Sequence, residues 1–229
     1  MKRVILRGVG EVRSAAVALA KYAVDGDRGR VVGDPVHEWI TGGRRAQYER
    51  ALAAGLQWAV DMPAGYSSCG DLAHWLLLCL GVRDERFLNR SDDGGVHPWG
   101  VCTNISRLVR SPWYVDFDGE LALPGVGDIL RVASPGRAAL SEHVAVLTEI
   151  VDARQWVTAD YGQPHGCRRV CPLRDTGSGL IVRGRVLQGF VSLARVVASG
   201  ALIETAIVPD DCAIGEPDDN PYEEDIEYP

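Results

Sequence analysis

At 229 residues, with 46% hydrophobic and 24% charged residues, the chain has the make-up of a globular protein: one domain with appendages and enough length to bury a core. The formal charge of −7 is concentrated at the end, because residues 209–229 hold nine Asp and Glu and no Lys or Arg. The body that remains carries 24 basic against 22 acidic residues, and this near-neutrality excludes the electrostatic footprint of a nucleic-acid binder.

The opening Met1-Lys2-Arg3-Val4-Ile5-Leu6-Arg7 is basic, but Arg7, Glu11 and Arg13 break up any apolar segment, so no signal peptide is read. The apolar run from Trp75 to Leu80 is far too short for a membrane span. The expected location is cytoplasmic, or exported without a signal peptide. Residues 12–24 are Ala-rich with helical spacing and end at Asp25-Gly26. Asp34-Pro35 starts a second segment that Gly42-Gly43 interrupts, and residues 45–60 have the apolar stripe of a third helix.

Next comes Gly65-Tyr66-Ser67-Ser68-Cys69-Gly70-Asp71, which leads into an apolar stretch ending at Leu80-Gly81. Two hydroxyl residues suited to capping precede the cysteine, so Cys69 is expected in the first turn of a helix. There the unpaired N–H groups and the helix dipole favour the thiolate, which is the nucleophilic form. The alternative reading of this stretch alone is a buried core cysteine.

Residues 84–100 are rich in Asn, Asp and Gly, and 102–109 suggest a short helix. From Leu121 the period changes to two. Leu123-Pro124-Gly125-Val126-Gly127-Asp128 is a turn followed by a strand, and residues 142–151 form a second strand. Asp152-Ala153-Arg154 turns the chain, residues 155–161 return, and residues 179–186 and 187–193 make a further pair. Helices followed by an antiparallel meander predict an α+β class.

A thiol nucleophile needs a base, and the base works best when a third group fixes its tautomer. Counting outward from the turn at 152–154 places His143 and Asp160 at the same end of the sheet. His74 is the rival base, but at i+5 on the helix it points away from Cys69. His165 with Cys167 and Cys171 offers zinc-ligand residue types, but the Cys-x3-Cys spacing is loose and no second pair stands nearby, so no metal and no cofactor are expected.

The order Ser68-Cys69-Gly70, then Pro124-Gly125-Val126-Gly127-Asp128-Ile129, then Glu142-His143-Val144-Ala145-Val146, resembles the papain-like cysteine hydrolases of the NlpC/P60 and CHAP superfamily. The resemblance implies a papain-like α+β fold for a hydrolase domain over 45–200; spacing and composition put a helical segment over 1–44 before it and an acidic, disordered tail over 209–229 after it. It implies a cysteine peptidase or amidase with Cys69 as nucleophile, His143 as base and Asp160 as orienter. Tyr66, Gln163 and His97 are further candidates for holding substrate or oxyanion, and the implied substrate is a peptide or peptidoglycan stem-peptide bond. The pattern Gly-x-x-Cys-x-Asp-x-Ala with His143 and Asp160 also resembles the transglutaminase-like superfamily, which would make the reaction acyl transfer or deamidation. The remaining alternative is an inactive binding or assembly protein with a partner for its acidic tail.

Overall fold

The structure, a computed structural model, describes residues 2–24, 69–82, 111–117, 122–134, 143–161, 166–175, 179–182, 184–202 and 205–212. The expectations for 34–60, for the helix over 102–109 and for the tail beyond Cys212 lie outside the described residues.

The described elements are β1 (Lys2–Ile5), α1 (Val9–Val24), α2 (Cys69–Cys79), β2 (Tyr114–Asp116), β3 (Ile129–Ala133), β4 (His143–Asp152), β5 (Gln155–Tyr161), β6 (Gly166–Asp175), β7 (Leu180–Val182), β8 (Arg185–Val191), α3 (Leu193–Ala198) and β9 (Thr205–Val208). Among the described residues strand outweighs helix. The large sheet runs β8-β3-β4-β5-β6-β7, and β7 pairs back onto β8 through Ile181↔Val186 and Val182↔Arg185, closing a six-stranded antiparallel barrel. Further along β8, β2 pairs with it from Tyr114↔Val191 to Asp116↔Gly189.

This overturns the expected papain-like α+β fold of N-terminal helices followed by an antiparallel sheet. The described residues are mostly β, and their sheet closes on itself. Four pairings that short-range patterns do not reveal cause the difference: β8 joins β3 on one side and β7 on the other, and residues 166–175 form a full strand between β5 and β7. The described chain also starts with a strand rather than a helix, since β1 pairs with β9 from Lys2↔Val208 to Ile5↔Thr205.

Alternation along the strands divides the apolar residues into two clusters. Leu130, Val132, Leu147, Trp156, Cys171, Val182, Leu187 and Phe190 pack together as one. The opposite faces of β4 and β5, through Val144, Val146, Ala159 and Tyr161, join the second cluster with α1 and α2. On α1 the buried side is Ala15, Ala16, Leu19, Ala20 and Ala23, and these small side chains let the helix lie close to its neighbours. The Tyr161 hydroxyl donates to the Ala23 carbonyl at 3.2 Å, satisfying an acceptor at the end of α1.

The turn before β3 forms as its Gly and Asp residues dictate. Gly127 adopts φ 95°, which a side chain would strain. Asp128 is 1% exposed; its Oδ2 accepts the Gly125 N–H at 2.9 Å and its Oδ1 accepts the Leu193 N–H at 2.9 Å. Arg13 of α1 lies against the same turn, with Nη2 3.7 Å from Asp128 Oδ2.

The hairpin of β4 and β5 is the part that matters most for the site. It begins at Asp152↔Gln155 and reaches Val146↔Ala159, with register shifts between Ile150 and Asp152 and between Leu147 and Glu149. Val151 and Thr148 are therefore extra residues on β4, two bulges on one strand. Thr148 is buried and its hydroxyl donates to the Val157 carbonyl at 3.1 Å. Without the bulges a strict ladder from Asp152↔Gln155 would set Asp160 opposite Leu147. With them the ladder continues from Val146↔Ala159 to bring Asp160 opposite Ala145, two residues nearer to His143.

Candidate active site

Cys69 is the first residue of α2, where helical N–H groups lack intrahelical partners. The helix packs on β4 and β5, and it ends as its sequence suggests: Gly81 takes φ 88° and donates to the Leu78 carbonyl at 3.0 Å. Cys69 itself is 1% exposed. His143 opens β4 and shares a face with Ala145 and Leu147, while Val144 and Val146 turn toward the helices. Asp160, near the end of β5, shares its face with Thr158 and Trp156.

These three residues meet. His143 Nε2 lies 3.0 Å from Asp160 Oδ2, and the same ring hydrogen-bonds the Cys69 side chain. With Nε2 committed to Asp160, Nδ1 is the nitrogen left for Cys69. Burial by itself would depress the imidazole, but the hydrogen bonds to Asp160 and Cys69 and the charges of both outweigh it, raising His143 to about 9. For Asp160, burial alone would favour the neutral acid. The hydrogen bond and charge of His143, followed by those of Arg169, instead hold its carboxyl below the usual carboxylate range. A protonated imidazole fixed between a carboxylate and a thiol can keep that thiol ionised and can later deliver its proton to a leaving group.

Asp160 has two further partners that sequence reasoning missed. Its Oδ1 accepts from Arg169 Nε at 3.0 Å and from Cys167 Sγ at 3.2 Å. Both donors come from β6, where Cys167, Arg169 and Cys171 alternate onto one face while Arg168, Val170 and Pro172 are exposed. The signal was present as this period-two pattern. It is obscured by three arginines and a proline within the strand, residues that β-propensity does not favour. In the structure Cys167 bonds Asp160, and Cys171 is buried with its sulfur 3.4 Å from the Thr158 hydroxyl.

The other cysteines differ in setting. Burial pushes the Cys79 thiol up to about 12 and raises that of Cys212, so neither is predisposed to ionise. Tyr66, His97, Gln163 and His165, and the side chain of His74, lie outside the described residues. Comparison with models of protein families, with curated proteins and with solved structures gives no significant match to this chain.

Proposed function

We propose that the chain is a cysteine amide hydrolase that acts on a peptide-type bond through Cys69, His143 and Asp160. The observation that carries this reading is the His143 ring, held 3.0 Å from Asp160 on one side and hydrogen-bonded to Cys69 on the other. A nucleophile, base and orienter of this kind recur on unrelated scaffolds, so the barrel is no obstacle to the chemistry.

In the reaction the Cys69 thiolate attacks the carbonyl carbon. The backbone N–H of Cys69, at the start of α2, helps hold the oxyanion. Collapse of the tetrahedral intermediate breaks the C–N bond, and His143 passes its proton to the departing amine. Water then attacks the thioester and returns a proton to His143. The acid is released and the thiolate restored.

The test is turnover of a panel of fluorogenic peptide amides by the wild-type protein and by Cys69→Ala. Wild type is expected to release the fluorophore, and acid quenching is expected to trap an acyl mass on Cys69; the variant should do neither. Undiminished turnover by Cys69→Ala would overturn the reading. An added primary amine that captures most of the acyl group would reassign the reaction to acyl transfer.

A further inference from the structure

Among the described residues Arg169 is tied to the site by one of its nitrogens. Nε donates to Asp160 Oδ1, which fixes the side chain, and among the described residues no partner occupies Nη1 or Nη2. These two groups carry four of the five N–H donors of a guanidinium, in the planar fork that matches a carboxylate. Exposure rises across the cluster: the Asp160 side chain is 3% exposed, that of His143 18% and that of Arg169 37%. Arg169 is thus the most open of these three side chains, one carboxylate away from the imidazole.

Holding Asp160 takes one of the five N–H donors of the guanidinium and leaves the other four for another role. A guanidinium already immobilised through Nε loses little further freedom when a ligand docks. Cys167 supplies a second donor to the same Asp160 oxygen, so orientation of that carboxylate does not rest on Arg169 alone.

We propose that Arg169 is a specificity-determining residue of this site, its outer guanidinium edge binding a carboxylate of the substrate close to the amide bond that Cys69 attacks. The inference rests on the reading of Cys69 as nucleophile and narrows its substrates to acidic ones, such as a peptide with a Glu or Asp side chain, or a free terminal carboxylate, next to the scissile bond.

A matched pair of alkylating reagents tests it without a known substrate. Iodoacetate and iodoacetamide react by the same displacement, in which the thiolate takes the methylene carbon and iodide leaves, but only iodoacetate carries a carboxylate. The rate of modification at Cys69 is read by peptide mass spectrometry for wild type, Arg169→Gln and Arg169→Lys, with glutathione as the reference thiol. The wild-type iodoacetate-to-iodoacetamide ratio is expected to exceed that of glutathione at least tenfold. Arg169→Gln, which keeps an N–H for Asp160, should remove most of that excess, read as the ratio of the two rates so that any change common to both reagents cancels. Arg169→Lys should fall between.

A wild-type ratio equal to that of glutathione, or one that survives Arg169→Gln, would overturn the role of Arg169 and leave the nucleophile standing. An equal fall with both reagents would make Arg169 a positioning residue only and would equally overturn the proposal. A wild-type Cys69 that iodoacetamide fails to modify would defeat the nucleophile itself, and this inference with it. With a turned-over peptide pair, Glu against Gln beside the scissile bond, the same result appears as a KM preference for Glu that Arg169→Gln removes.

Discussion

The Asp128 carboxylate and the backbone N–H of Leu193, 65 residues apart in sequence, meet at 2.9 Å in the interior. Through its other oxygen Asp128 also binds the Gly125 N–H and faces Arg13, so one buried side chain joins α1, the turn before β3 and the start of α3. Removing one member of such a buried charged set leaves polar partners stranded. Asp128→Ala is expected to cost about 3 kcal/mol in a urea titration, while Asp128→Asn, which keeps one acceptor, loses less. Equal stability of Asp128→Ala and wild type would mean that the turn is held by other contacts.

His143 makes stability depend on pH. Its folded pKa of about 9 lies above the ordinary 6.5, so the folded protein retains a proton that the unfolded chain gives up. The contribution is complete below pH 6.5 and is lost as pH rises through about 9, and that difference corresponds to about 3 kcal/mol. Titration of the imidazole by NMR should place it near 9 in wild type and lower in Cys69→Ala and Asp160→Asn, because both partners raise it. An unchanged value in Cys69→Ala would separate the thiol from the ring.

The same titration limits catalysis. If His143 delivers a proton to the leaving amine, kcat should fall on the alkaline side as pH passes about 9. Asp160→Asn keeps the shape but removes the charge that supports the imidazolium; kcat should drop by about 10² and the alkaline limb should move to lower pH. A limb that stays in place would show that some other group sets it.

Gly189 of β8 faces β2 where no side chain fits. A Cβ there would collide with the Tyr114 hydroxyl and the Val115 carbonyl oxygen. The tyrosine can swing aside at the loss of its bond from Arg131 Nη1, but the carbonyl belongs to the strand. Gly189→Ala should therefore cost about 2 kcal/mol or more and loosen β2, measured by its amide exchange. Full retention of protection over residues 114–116 would contradict this.

What could be read in advance follows from the range of the interactions. The helix starting at Cys69 and the hairpin that returns at Gln155 are local events, governed by a capping sequence, a Gly C-cap and a three-residue turn signal, and the structure has both. The meeting of His143 with Asp160 could be counted because one short turn connects their strands. Arg169 and Cys167 could not, since their approach to Asp160 depends on the register of β6 against β5, where Asp160 faces Cys167. Barrel closure was hidden for a stronger version of that reason: β8 must find β3 more than fifty residues earlier, and no local pattern records that pairing. The strand at Lys2–Ile5 has its partner at the far end of the described chain.

Thr148 and Val151 finally say where this hairpin has slack. Each is surplus to the ladder, so deleting either would straighten β4 locally while Val146 stayed opposite Ala159 and His143 kept its place. Between His143 and Leu147 there is no such allowance. One residue lost there would turn the imidazole away from Asp160, so shortening β4 beyond Leu147 leaves the register of the site in place, while shortening it before Leu147 destroys it.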